Sequence, residues 1–172
     1  MLRYSFFLVS FLFFSSCLTI GFQQPQPAGK KQLEEFPHAL LGTYTDSPAG
    51  EEIALILRPN SVYLNDNETP AENDMYLSDS LVLKKFKRYY IANYWDKEKK
   101  CWIIYPFQGN QGRVMVYDLS LEKENAAKTL SGFTPIVRQD SDLIVVDPNR
   151  KALKRMLKDP TIWEIDTLYK MK

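Results

Sequence analysis

Three segments in the middle of the chain restrict its fold more than any other feature. Arg88–Trp95 (RYYIANYW), Cys101–Phe107 (CWIIYPF) and Arg113–Leu119 (RVMVYDL) follow one another with only DKEKK and QGNQG between them. Their β-branched and aromatic content selects strand over helix, and the short polar joints read as hairpin loops. Within Cys101–Phe107, successive side chains point to opposite faces of a sheet. Cys101, Ile103, Tyr105 and Phe107 share one face, while Trp102 and Ile104 share the other. A sheet with one wet face alternates apolar and polar residues. These strands are apolar on both faces, so something must cover the second one: helices, a second sheet, a ligand or a partner protein. Helices are the simplest cover.

Further strands are expected from Gly42, over Glu52–Leu57 and Ser61–Leu64 around an Arg58-Pro59-Asn60 turn, and over TPIVRQ and DLIVVD around Asp140-Ser141. Pro37–Leu41 suits a short turn or helix, and Leu121–Leu130 a short helix. A second helix is predicted from an Asp147 cap with Pro148 at its first position, ending at Lys158-Asp159-Pro160. Leu153, Met156 and Leu157 give it one apolar stripe. The last segment, TIWEIDTLYK, alternates, with Trp163, Ile165, Thr167 and Tyr169 on one face. The fold class that follows is mainly β: an antiparallel meander forming a small barrel or sandwich, with one C-terminal amphipathic helix before the last strand.

The N-terminus carries Arg3, then the apolar run Phe6–Phe14, then Ser15, Ser16 and Cys17. A positive start, a short apolar run and small residues make a secretory signal. Phe14-Ser15-Ser16-Cys17 resembles the lipobox of bacterial lipoproteins, with Phe in the place usually held by Leu. The resemblance implies removal of residues 1–16 and acylation of Cys17, which would anchor the chain in a membrane. With Leu18 next and no acidic residue nearby, it also implies sorting to the outer membrane of the cell envelope. An uncleaved anchor and secretion without lipid are the two other readings of this leader, and they too put the domain outside the cytosol. Residues 17–35, with Gln-Pro-Gln-Pro, read as the lipid anchor and a flexible, extended tether. Residues 36–172 read as a single mainly-β domain.

A second resemblance concerns the domain. Leu40–Asp46 (LLGTYTD) is similar to the entrance strand of lipocalin-like β-barrels, with Tyr44 where those proteins carry Trp after Gly-x. A helix followed by a short last strand also fits that group. The likeness implies an interior cavity for a small apolar ligand. Tyrosine suits such a cavity because it offers an apolar body and a hydroxyl. Tyr44, Tyr90, Tyr94, Trp102, Tyr105 and Tyr117 are the candidate ligand-binding residues.

Several chemistries lack their residues. His38 is the sole histidine, so a histidine-rich metal site is excluded, and the sequence holds no Gly-x-Ser-x-Gly, His-Glu-x-x-His or phosphate-binding glycine loop. With Cys17 acylated, Cys101 stands alone, and neither a disulfide framework nor a cysteine zinc site is available; a buried, inert thiol beside Trp102 is expected. The formal net charge is +1, unlike the basic excess of a nucleic-acid binder. The acids of Asn65–Asp74 lack the spacing of a calcium loop and read as a solvated loop. Lys84–Arg88, Lys97–Lys100 and the outer face of Arg150–Lys158 are basic clusters, suited to solvent, an anionic surface or an acidic partner.

The functional expectation is a lipid-anchored cell-envelope protein with a non-catalytic binding domain. It would bind an envelope partner or a small apolar ligand and would need no cofactor, metal or catalytic residue. The alternative is an envelope hydrolase acting on cell-wall or sugar substrates through paired carboxylates, whose spacing a linear sequence does not reveal.

Overall fold

A computed structural model describes residues 18–50, 52–64, 74–110 and 112–171. Cys17 and the leader lie outside the described residues, as do residues 65–73 of the acidic loop. The strands in chain order are β1 (Thr19–Phe22), β2 (Gln32–Leu33), β3 (Gly42–Thr45), β4 (Ile53–Leu57), β5 (Ser61–Leu64), β6 (Asp74–Tyr76), β7 (Leu81–Phe86), β8 (Tyr89–Asp96), β9 (Cys101–Asn110), β10 (Arg113–Leu119), β11 (Ile136–Gln139), β12 (Leu143–Val146) and β13 (Trp163–Lys170). Helix α1 (Lys123–Ser131) precedes β11, and α2 (Arg150–Met156) precedes the final strand. The fold is mainly β, an antiparallel sheet curled into a half-barrel.

Two meanders build it. One runs β3–β4–β5–β6 and the other β7–β8–β9–β10, each with antiparallel neighbours. The last strand joins them: β13 pairs with β10 along its length and with β3 at Tyr169 and Lys170. One pair departs from the antiparallel pattern, since β1 lies parallel to β12. The alternation expected of β13 is only partly seen. Trp163 is buried but Ile165 is 45% exposed, while Leu168 of the opposite face packs inward.

The two-sided strands are explained by two covers. Tyr89 and Ile91 of β8, Ile104 of β9 and Tyr117 of β10 point into a core roofed by Ala126 and Leu130 of α1 and by Leu153 and Met156 of α2. Their neighbours Tyr90, Ala92, Phe107, Val114 and Val116 point the other way. There they meet Tyr44, Leu55, Leu57 and Val62 of the first meander, with Phe36 and Leu40. One face is covered by helices and the other by the sheet's own continuation.

The expected tether is the main correction. Residues 18–36 are built into the domain. Short as it is, TIGF forms β1, pairs with both β12 and β9, and buries Phe22 completely. Gly21 is needed there, because a Cβ at this position would come within 2.5 Å of the Cys101 sulfur. The Gln-Pro stretch after it runs through bends and a turn and not as an extended chain, and protein groups satisfy its backbone in place of water. Asn93, fully buried, accepts from the Gln26 N–H and donates to the carbonyls of Gln26, Val82 and Ile91. Lys84 donates to the carbonyls of Pro25 and Pro27, at 2.9 and 3.4 Å. Buried polar groups require such partners, and Asn93 and Lys84 supply them from the middle of β8 and β7.

Both predicted helices form, with adjusted ends. The cap of α2 is Asn149, not Asp147: its Oδ1 accepts from the N–H groups of Lys151 and Ala152 at 3.0 and 2.9 Å. Asp147 instead accepts from Gln24. Cys101 is buried, and desolvation is the first cause that pushes its thiol pKa up, which keeps it in the unreactive neutral form.

Candidate functional site

The six aromatic residues suggested for ligand binding do not surround one cavity. Tyr44 is buried between the meanders, and its hydroxyl donates to the Leu40 carbonyl at 2.7 Å. Tyr90 stacks on Phe107 with ring centroids 5.7 Å apart. Tyr117 is buried under the helices, edge-on to Tyr89 and Trp163, and accepts from Gln108 at 2.6 Å. Trp102 is half-buried against the helix-side core and Trp95. These four are structural. Only Tyr94 and Tyr105 come together at a surface, where they are 41% and 37% exposed.

Register explains their meeting. Tyr94 pairs with Ile103, and Ala92 with Tyr105, so the two tyrosines are diagonal neighbours on one face of β8 and β9. This is the face that the first meander covers at Phe107, further along β9. Near Tyr105 the cover has ended. An open groove of 520 Å³ remains, with Tyr94, Ile103 and Tyr105 on its floor. Leu18 and Thr19 at the start of β1 and Leu119–Leu121 beyond β10 form part of its wall.

Three carboxylates line the same groove: Asp96, Asp118 and Glu164. Asp118 of β10 and Glu164 of β13 are direct cross-strand partners. Like charges so placed repel, and among the described residues no ion pair neutralises either of them. The Asp118 carboxyl is pushed up, first by partial desolvation, which the Leu119 backbone N–H partly offsets, with Glu164 and Asp166 adding smaller upward pushes. The Tyr105 phenol is also pushed up, first by partial desolvation and then by Asp118, Tyr94 and Asp96. It therefore stays protonated near neutrality and offers a hydrogen-bond donor, which is the wrong form for a general base. Asp96 has a structural duty as well, accepting from the N–H groups of Glu98 and Lys99 to shape the β8–β9 turn. Lys99 brings one cation to the rim, where it is held by the Thr19 hydroxyl and by Asp142, 3.9 Å away.

The sequence pointed to Tyr94 and Tyr105 by residue type alone and assigned Glu164 to a solvated strand face. It offered no sign of Asp118, Asp96 or Leu18 as neighbours of these rings. The meeting of Asp118 with Glu164 depends on the β10–β13 register, across two helices and two strands. A visible trace was the row of acids Glu164 and Asp166 on the outer face of an otherwise apolar strand.

Among the described residues, no helix is long and apolar enough to cross a membrane, and no group of three or more His, Cys, Asp and Glu side chains is arranged to hold a metal ion. Compared with protein-family models, curated proteins and solved structures, the chain gives no significant match.

Proposed function

We propose that this chain is a lipid-anchored cell-envelope protein whose β domain binds a cationic segment of an envelope partner in the Tyr94–Tyr105 groove. One observation carries the binding reading: two exposed tyrosines side by side with the unneutralised carboxylates of Asp118 and Glu164. Exposed aromatic anchors within a charged rim are the composition of interface hot spots. Lysine or arginine on the partner would relieve the repulsion between Asp118 and Glu164 and stack on the rings. The packed positions of Tyr44, Tyr90 and Tyr117 give the alternative occupant, a small apolar ligand inside a barrel, less support.

The anchor remains the reading of the Phe14–Cys17 motif. The folded Leu18–Phe36 segment sharpens it, because Leu18 is next to Cys17 in sequence and already lines the groove. An acyl group on Cys17 would hold the groove close to the bilayer, not at the end of a long tether, and the partner would be another component at the membrane surface.

Two measurements test this. Mass spectrometry of the mature N-terminus should find acylated Cys17, and a free amino terminus at any other residue defeats the anchor. Calorimetric titration with the peptide acetyl-Lys-Trp-Lys-Trp-Lys-amide should give binding that weakens about tenfold in Tyr105→Ala and in Glu164→Gln. Equal binding by wild type and both variants defeats the groove reading.

A hydrolase is the second reading, and the Asp118–Glu164 pair favours it. A carboxyl with a raised pKa beside a second carboxyl is the residue pairing that glycoside hydrolysis draws on. Incubation with purified peptidoglycan should then release reducing ends, and Asp118→Asn and Glu164→Gln should each abolish the release. Wild-type protein that releases none excludes hydrolysis of this polymer.

A further inference from the structure

Away from the groove, two basic segments that are far apart in sequence converge. The β7–β8 turn carries Lys87 and Arg88, and the C-terminal end of α2 carries Lys154 and Lys158. All four line one cleft of 280 Å³ whose floor is Phe86, Tyr89 and Leu157. No carboxylate lines it, and among the described residues none of the four cations has an ion pair. The nearest acid in sequence, Asp159, is already engaged by the Thr161 N–H and hydroxyl, at 3.0 and 2.6 Å. Four like charges around one small cleft repel each other, and the described residues offer them no ion-pair partner.

The cleft is organised by hydrogen bonds. The Tyr89 hydroxyl donates to the Leu157 carbonyl at 3.1 Å, which ties the turn to the end of the helix. The same oxygen accepts from Arg88 Nη2 at 3.1 Å, and the guanidinium lies 5.2 Å from the Tyr89 ring centre. Arg88 is thereby positioned before any ligand arrives. Lys87 is placed by the turn. Its φ is 59°, in the left-handed region that favours glycine or asparagine. The two-residue turn between Phe86 and Tyr89 requires this conformation, and it fixes the Lys87 backbone beside the cleft.

We infer that this cleft binds the phosphate of an anionic amphiphile, with the phosphate among Lys87, Arg88, Lys154 and Lys158 and the apolar part against Phe86 and Leu157. The reasoning is chemical. Lysine and arginine give charge-assisted hydrogen bonds to phosphate oxygens. A mostly apolar floor beneath a cationic rim has no use for a small hydrophilic anion alone, and it suits a phosphorylated headgroup joined to a hydrocarbon chain. The site stands apart from the groove reading and does not depend on it.

The full chain, purified in a neutral detergent, tests the inference by calorimetric titration with three probes. These are dihexanoyl phosphatidic acid, glycerol 3-phosphate and dihexanoyl phosphatidylcholine. Phosphatidic acid should bind most tightly, glycerol 3-phosphate more weakly and phosphatidylcholine not at all, with affinity falling as salt rises. The double variant Lys154→Ser/Lys158→Ser, altered at one exposed position on α2 and one just beyond its end, should lose about tenfold or more in phosphatidic acid affinity. Lys87→Gly should lose affinity while its melting temperature holds or rises, because glycine accepts the left-handed backbone. That divergence between binding and stability would not arise from a misfolded variant. Tyr105→Ala, outside the cleft, should leave phosphate binding unchanged. Equal affinity for phosphatidic acid and glycerol 3-phosphate would keep the phosphate site and overturn its lipid source. Absence of binding by both phosphates, or unchanged binding in the double variant, overturns the inference.

Discussion

The central strands use the same kinds of residue at their two ends and expose them very differently. At one end, Tyr90 and Phe107 stack face to face beneath Tyr44, Leu55 and Leu57 of the first meander. At the other, Tyr94 and Tyr105 occupy the same face of the same two strands and stand partly in solvent. What lies opposite makes the difference. The first meander and the segment around Phe36 reach over Phe107, Val114 and Val116 but stop short of Tyr105 and Asp118. One face of the sheet is thus a packing surface as far as the chain covers it, and an open, partly solvated surface beyond. The acids follow the same division, since Asp118 and Glu164 stand side by side only where the cover has ended.

The comparison can be broken by mutation. Phe107→Ala, at the covered end, removes a ring that is 5% exposed and packed against Phe36 and Tyr90. It should cost about 3–5 kcal/mol in urea unfolding, from lost transfer energy and the cavity left behind. Asn93→Ala should follow, at about 2–4 kcal/mol, because it leaves buried groups of Gln26, Val82 and Ile91 without their partner. An Asn93→Ala loss below about 0.5 kcal/mol would mean that the Gln-Pro segment is not clamped to the sheet and that the tether reading of residues 17–35 should return.

These two sites also mark what the sequence made legible. The hairpin succession from Arg88 to Leu119, the α2 stripe of Leu153, Met156 and Leu157, and the need for a second cover were all readable, because periodicity and turn chemistry are local. The folding of residues 18–36 was not. Proline and glutamine there suggest, by local rules, an extended solvated chain, whereas the segment bends and turns against the sheet. What buries them is a pair of polar side chains, Asn93 and Lys84, some sixty residues later. The groove was hidden for a related reason. Tyr94 and Tyr105 look the same in sequence as Tyr90 and Tyr117, and only the register of β8, β9, β10 and β13 decides which of them meet solvent and which acids stand beside them.

At the open end the expected stability effects are small. Tyr105→Ala should cost less than about 1 kcal/mol, since the ring is already 37% exposed and leaves little cavity. The same variant should show the larger loss in peptide binding. A stability cost equal to that of Phe107→Ala would erase the distinction between the two ends and make Tyr105 a core residue.

The smallest effect has the most informative sign. The carboxyl of Asp118 has a folded pKa above its ordinary value, chiefly from desolvation; the Leu119 backbone N–H opposes the shift, and Glu164 and Asp166 add to it. A raised carboxyl is disfavoured in its ionised form, so its favourable contribution is present below the unfolded value and is lost as pH rises through the folded one. At pH 7 the ionised Asp118 therefore opposes folding, mildly because the side chain is exposed to screening solvent. Asp118→Asn should raise stability at pH 7 by roughly a few tenths of a kcal/mol, and the gain should vanish below about pH 4, where Asp118 is protonated in both states. Loss of stability at pH 7 would mean that favourable contacts such as the Leu119 N–H outweigh desolvation and repulsion, and the argument that this pair awaits a cation would fail. If the gain is seen and the cationic peptide abolishes it, the repulsion measured in the free protein is the same interaction that the ligand relieves.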